Sequence, residues 1–100
     1  MLAGAPEDRN SREELSAVLL RIVNAAMSDG RYEMAAGSYR ELIALDGGNA
    51  DLHINFGIIL AKLADLKGAI DQFEAALKAN PWHQSARRNL DQIRSKLPRR

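Results

Sequence analysis

The stretch that decides the fold reads His53-Ile54-Asn55-Phe56-Gly57-Ile58-Ile59-Leu60 and then, past Asp65, Ala69-Ile70-Asp71-Gln72-Phe73-Glu74-Ala75-Ala76, closing on Asn80-Pro81. Its apolar side chains recur at helical spacing. Leu52, His53, Phe56, Ile59, Leu60 and Leu63 form one stripe, and Leu66, Ala69, Ile70, Phe73, Ala76 and Leu77 form another. Asn49 stands where it can cap the first helix and Asp65 where it can cap the second, because a short side-chain oxygen there accepts from the free amides of the first turn. Pro81 lacks an amide donor and stops the second helix. Two amphipathic helices joined by a short turn follow from this stretch alone.

The same logic extends in both directions. Upstream, Leu15, Val18, Leu19, Ile22, Val23 and Ala26 follow the i, i+3, i+4 rule, entered through Ser11-Arg12-Glu13-Glu14, which has the spacing of a capping box, and stopped at Asp29-Gly30. A second upstream stripe holds Tyr32, Ala35, Ala36, Tyr39, Leu42 and Ile43. Gly47-Gly48 should end that helix, since glycine accepts the left-handed conformation common just past a helix C-terminus. Downstream, a helix over roughly Gln84 to Leu97 carries the narrow stripe Ala86, Leu90, Ile93 and Leu97 before Pro98. No segment alternates with a period of two, so no strand is expected.

Helix pairs of equal length call for a search for internal repeats. Shifting the chain by 34 residues places Ile22 on Phe56, Ala26 on Leu60, Gly30 on Ala64, Tyr32 on Leu66, Ala35 on Ala69, Tyr39 on Phe73 and Leu42 on Ala76. A second shift puts Phe56 on Leu90 and Leu63 on Leu97, keeping only the buried half of a first helix. The pattern His53-x2-Phe56-Gly57-x2-Leu60, then Ala69-x3-Phe73, Ala76 and Pro81, resembles the tetratricopeptide repeat, with His53 and Phe56 where Trp and Leu are typical. The upstream copy, Leu19-x2-Ile22-Val23-x2-Ala26 with Ala35-x3-Tyr39, is more degenerate, since Val23 and Gly47 replace Gly and Pro.

The resemblance implies an all-α fold: two tandem helix-turn-helix repeats plus a C-terminal capping helix, stacked as a right-handed superhelical fragment. Its expected parts are a flexible lead over 1–10, repeats over 11–49 and 50–83, a capping helix over 84–97 and a basic tail over 98–100. Within a repeat, Gly57 and Ala69 are small where the paired helices cross, and Phe73 fills the space between neighbouring pairs.

Composition narrows the function classes. Of 100 residues 46% are hydrophobic and 27% charged, enough apolar material for one packed domain. Without cysteine there is no disulfide and no thiolate-ligated zinc or iron–sulfur site. The longest apolar runs, such as Ala17 to Leu20 and Ile58 to Ala61, are far below the ~20 residues of a membrane span. Met1 to Asn10 has no apolar signal-peptide core. A cytoplasmic, soluble protein is the expectation. Residues 1–50 carry five basic and eight acidic side chains and 51–100 carry nine and five, the basic excess lying in Arg87, Arg88, Arg94, Lys96, Arg99 and Arg100.

Catalysis has little to work with. The two imidazoles, His53 and His83, are 30 residues apart and neither has a ligand-spaced His, Asp or Glu on its own helix. His53 reads as a partly buried substitute in the repeat's first slot and His83 as a surface residue at a helix start. No enzyme, no metal and no cofactor are expected.

Binding is better supplied. The resemblance implies a concave wall made by the first helix of each pair. It would be lined by Leu20, Asn24 and Met27, then Asp51, Ile54, Asn55, Ile58 and Lys62, then Ser85, Arg88, Gln92 and Lys96. These positions lie off the packing stripes, and an apolar strip flanked by amides and cations suits a protein or peptide segment with apolar side chains and an acidic end. Some members of the family grip a chaperone tail's terminal carboxylate with two asparagines and three cations. Asn24 and Asn55 fall on the asparagine slots, but the cation slots hold Leu20, Ser85 and Asn89, which removes the strongest contacts of such a clamp. Trp82 reads as a plug over the last helix pair; exposed, it would mark a partner contact. The first helix is apolar nearly all round, so the alternative function is self-association, a homodimer burying Val18, Leu20 and Met27. Nucleic acid is the weakest partner class, because only Trp82 could stack a base near the basic end.

Overall fold

The computed structural model describes residues 8–97. Among them are five helices and no strand: α1 (Asp8–Ser28), α2 (Tyr32–Leu45), α3 (Ala50–Lys62), α4 (Leu66–Ala79) and α5 (Gln84–Lys96). Each helix packs on the next in chain order, and α3 also approaches α5, whereas the backbones of α1 and α3 do not come close among the described residues. The result is a stack of two antiparallel pairs closed by α5. A single core runs through it, from Leu19, Val23 and Ala26 of α1 past Ala35, Ala36, Tyr39 and Leu42 of α2 to Phe73 and Ala76 of α4 and Leu90 of α5.

The 34-residue period is present in the backbone as well as the side chains. At the α1–α2 turn the Arg31 amide donates to the Ala26 carbonyl (2.8 Å) and the Gly30 amide to Met27 (3.2 Å). At the α3–α4 turn the Asp65 amide donates to Leu60 (2.8 Å) and the Ala64 amide to Ala61 (3.0 Å), the same bonds moved by 34. Both turns pass through a left-handed residue, Gly30 at φ 75° and Ala64 at φ 67°. The six-residue bond over a left-handed residue is the Schellman ending of a helix. The α2–α3 and α4–α5 connections repeat too: Asp46 donates to Leu42 (3.0 Å) and Asn80 to Ala76 (2.8 Å), Asn49 to Asp46 (3.3 Å) and His83 to Asn80 (3.1 Å).

The caps are those the sequence calls for in the second pair. The Asn49 side chain accepts from the Asp51 and Leu52 amides at 3.0 and 3.3 Å, and Asp65 accepts from the Gly68 amide at 2.9 Å. Gly57 lies against Phe73 so closely that a Cβ there would come within 2.6 Å of the ring. Phe73 therefore packs across its own pair, and Ala69 is wholly buried beside it.

Three expectations need correction. α1 begins at Asp8, so Ser11 falls inside the first turn instead of capping it. The left-handed residues are Gly30 and Ala64; Gly47 and Gly48 do not have positive φ, and α2 ends at Asp46 with φ −148° and ψ 71°. The buried stripe of α1 is narrower than expected, since Leu19, Val23 and Ala26 are inside while Leu15, Val18 and Ile22 are exposed. Residues 1–7 of the expected lead and the tail at 98–100 lie outside the described residues.

Candidate functional site

Helix geometry divides α1 into three strips. With about 100° between successive residues, Leu15, Val18 and Ile22 fall within about 60° of one another, and Leu20 stands roughly 200° from Val18. Leu19, Val23 and Ala26 lie between the two flanks and pack on α2. One flank, with Leu15, Val18 and Ile22, points out of the end of the stack. The other carries Leu20, Asn24 and Met27. Leu20, with Ser16 and Ala17 beside it, walls an open cleft of about 490 Å³ against Leu45 and Asp46 at the end of α2.

The repeat shows what each flank is for. Val18 is 46% exposed and its counterpart one repeat later, Leu52, is 9% exposed; Ile22 is 38% exposed and its counterpart Phe56 is 5%. Phe56 is covered from α2, where the Tyr39 ring stacks on it at 6.4 Å and the Arg40 guanidinium lies 5.3 Å over it. The slot that α2 fills on α3 is open on α1 among the described residues.

The residues expected to line a groove do not all do so. Ile54, the counterpart of Leu20, is 5% exposed and belongs to the core, so no partner can reach it. It is buried because α3 has packed neighbours on both sides, α2 and α5, where α1 has α2 alone among the described residues. Met27 and Ile58 are half-buried against that core, each keeping one exposed edge. Leu20, Asn24, Asn55, Lys62, Arg88 and Gln92 are exposed on the first helices α1, α3 and α5. Val18 lies on the flank of α1 opposite Leu20 and Met27, so a two-fold contact through all three would have to engage both flanks.

Several polar groups are already engaged. Burial pushes the Tyr39 hydroxyl above its usual 10.0, and the neighbouring Asn55 side chain, hydrogen-bonded to it, pulls the other way. The Lys62 ammonium sits 5.6 Å over the Tyr32 ring, at the α1–α2 turn. Asp51 accepts from His83 Nε2 at 2.9 Å, which ties the start of α5 to the start of α3. His83 is therefore a half-buried link and not a free surface residue. Arg88 pairs with no carboxylate among the described residues, where the ion pairs are His83 with Asp51 and Arg94 with Glu74.

His53 is buried as its slot demands, and it is a staple as well. Its Nε2 lies 2.8 Å from the Gly47 carbonyl oxygen and its Nδ1 2.7 Å from Gln72 Oε1, so with Nε2–H donating to Gly47 the second bond requires either the imidazolium form or the Gln72 amide turned to donate its N–H to Nδ1. The ring thus joins the α2–α3 connection to α4. Both imidazoles are spent on structure, and among the described residues no three His, Asp or Glu side chains gather into a metal site. No described helix is long and apolar enough to cross a membrane.

Trp82 is not a plug. It is 87% exposed, since the turn after Pro81 carries it past the end of the last pair. The outward flank of α1 was the other feature hidden in the sequence. The signal for it was a second stripe, Leu15-x2-Val18-x3-Ile22, running beside Leu19-x3-Val23-x2-Ala26.

Two helix pairs that repeat every 34 residues, bond for bond at their turns, and end in a polar-backed fifth helix have the tetratricopeptide-repeat fold. No protein-family model matches the sequence. The second tetratricopeptide domain of Spaghetti (RPAP3), solved bound to the HSP90 peptide SRMEEVD, superposes with a TM-score of 0.75 at 22% identity, covering 86% of this chain and 82% of that one. The Arabidopsis OM64 tetratricopeptide domain matches at a TM-score of 0.45 and 20% identity, over 86% of this chain and 99% of that one. In sequence, the chain is 33% identical over 79 residues to the photosystem I assembly protein Ycf3 of Acaryochloris marina (strain MBIC 11017). That match takes in 76% of this chain and spans 46% of the relative's length.

Proposed function

We propose that the chain is a non-catalytic protein-interaction module that receives a partner segment along the face made by its first helices, α1, α3 and α5. The observation that carries this reading is the set of side chains left exposed there: Leu20 and the free edge of Met27 and Ile58 as apolar contacts, Asn24, Asn55 and Gln92 as amides, Arg88 and Lys62 as cations. Amides aimed at an extended backbone and cations beside an apolar strip suit a peptide with apolar side chains and an acidic end. The fold it shares with a domain bound to an HSP90 peptide, and the part-length likeness to a photosystem assembly protein, support an interaction role. Leu20→Glu is the direct test, because Leu20 is exposed and the change leaves the core intact. The variant should lose at least tenfold in affinity for peptides selected against the wild type from a random library, with unchanged helical circular dichroism. Wild-type affinity in the variant would refute the groove.

A second reading, self-association, rests on a different observation: Val18 and Ile22 are open where Leu52 and Phe56 are closed. A two-fold contact through Leu15, Val18 and Ile22 would give α1 the cover that α2 gives α3. Sedimentation at tens of micromolar should show a dimer that Val18→Glu converts to a folded monomer. A strictly monomeric wild type would sink it.

A further inference from the structure

Trp82 is the largest side chain the fold leaves unused. It is 87% exposed, yet the turn that presents it is tightly held. The Trp82 amide donates to Asn80 Oδ1 at 3.1 Å, the His83 amide donates to the Asn80 carbonyl at 3.1 Å, and the neighbouring His83 ring is anchored on Asp51. An indole on a fixed turn offers a large apolar face at little cost in conformational entropy, which is why tryptophan dominates contact hot spots.

The surroundings specify what can sit on it. Trp82 borders a shallow depression of about 510 Å³ whose other walls include Gln84, Arg87, Arg88 and Asp91. Arg87 and Arg88 are exposed and neither forms an ion pair among the described residues. Two unpaired guanidinium groups call for carboxylates, with which they form forked hydrogen bonds. Asp91 and the Gln84 amide oxygen call in turn for N–H donors. A peptide supplies both, carboxylates from acidic side chains and N–H groups from its backbone. A phosphodiester backbone supplies acceptors alone and leaves Asp91 and the Gln84 oxygen without a donor.

We propose that the α4–α5 corner is a second docking site, in which an acidic peptide segment lays an aromatic or large apolar side chain on Trp82 and its flanking carboxylates on Arg87 and Arg88. The site goes beyond the α1–α3–α5 groove and borders it at Arg88. Its geometry depends on Asn80 and His83, not on Leu20.

Trp82 is the chain's one tryptophan, so its emission reports the site directly. The probe is a seven-residue peptide of alternating Asp and Glu with a central Phe, used unlabelled for emission and fluorescein-labelled for anisotropy. Titration should shift Trp82 emission to the blue with saturation, and replacing the probe's Phe by Ala should weaken binding at least tenfold. Trp82→Ala and Arg87→Glu, both at exposed positions, should each weaken the labelled probe at least tenfold while helical circular dichroism stays unchanged. Leu20→Glu should leave the emission shift intact, so loss of the groove and loss of the corner are told apart. Emission unmoved at millimolar peptide would overturn the proposal, as would abolition of the shift by Leu20→Glu. A larger response to single-stranded oligothymidylate than to the peptide would also overturn it, in favour of nucleic acid.

Discussion

The α1–α2 and α3–α4 pairs turn the same corners with different chemistry. Where α1 ends, the left-handed residue is Gly30; where α3 ends, it is Ala64, which pays a steric penalty there. Asp65 caps α4 through its carboxylate, while its counterpart Arg31 gives α2 no side-chain cap. Gly57 lets Phe73 close on α3, whereas the matching slots of the first pair hold Val23 and Tyr39, whose ring stacks on Phe56 of α3. The second pair is also covered on both sides, by α2 and α5, and the first on one. Backbone bonding therefore sets the repeat, and side chains decide how tightly each copy closes. The first pair should open sooner, so amide hydrogen exchange should be faster in α1 than in α3.

Substitutions that make one copy resemble the other probe this difference, and the largest effect belongs to the ring contact. Gly57→Val, which imports the residue of the first pair, should cost about 3 kcal/mol, the upper end of ordinary overpacking, because the new side chain meets the Phe73 ring. Ala69→Leu should cost roughly 1–3 kcal/mol for the same reason, and Ala35→Leu should match it, since both alanines are wholly buried. Urea unfolding measures each. A tolerant Ala35 beside an intolerant Ala69 would show that the first pair crosses elsewhere.

His53→Ala should follow, at about 2 kcal/mol, as it removes a buried ring and leaves unmade its half-buried bonds to Gln72 and the Gly47 carbonyl. Capping comes next. Asp65→Ala should lose about 1 kcal/mol, and Arg31→Asp, which gives α2 the cap it lacks, should gain roughly 0.5–1 kcal/mol. At the left-handed turns Gly30→Ala should cost ~1 kcal/mol, and the smallest effect is that of Ala64→Gly, which should return a few tenths of that, the relieved strain being offset by glycine's greater freedom when unfolded. Equal melting shifts of the same sign for these two would contradict the turn assignment.

Most of the fold could be read from residues whose period and chemistry agree. The stripes from Leu52 to Leu77, the caps at Asn49 and Asp65 and the match of Gly30 to Ala64 each come from local rules acting within one turn of helix. The groove was harder to read, because exposure depends on neighbours that periodicity does not contain. Leu20 and Ile54 occupy the same slot of successive repeats, yet one is open and the other closed by flanking helices. Val18 and Leu20 are two residues apart in sequence and on opposite flanks of α1. Gly47-Gly48 reads as a left-handed ending, but α2 stops before it, at Asp46 with φ −148°. Trp82 reads as a plug over the last pair, and the path of the chain after Pro81 puts it outside.

The central claim is that the face of α1, α3 and α5 holds a partner segment. Amide chemical shifts of the ¹⁵N-labelled chain, recorded while a library-selected peptide is titrated in, test it most directly. The account predicts that the largest shifts fall on Leu20, Asn24, Asn55, Ile58 and Arg88, with α2 and the outer side of α4 unmoved. Shifts centred on α2 or on Asp71, Glu74 and Lys78 of α4, with Leu20 and Asn55 unchanged, would contradict it.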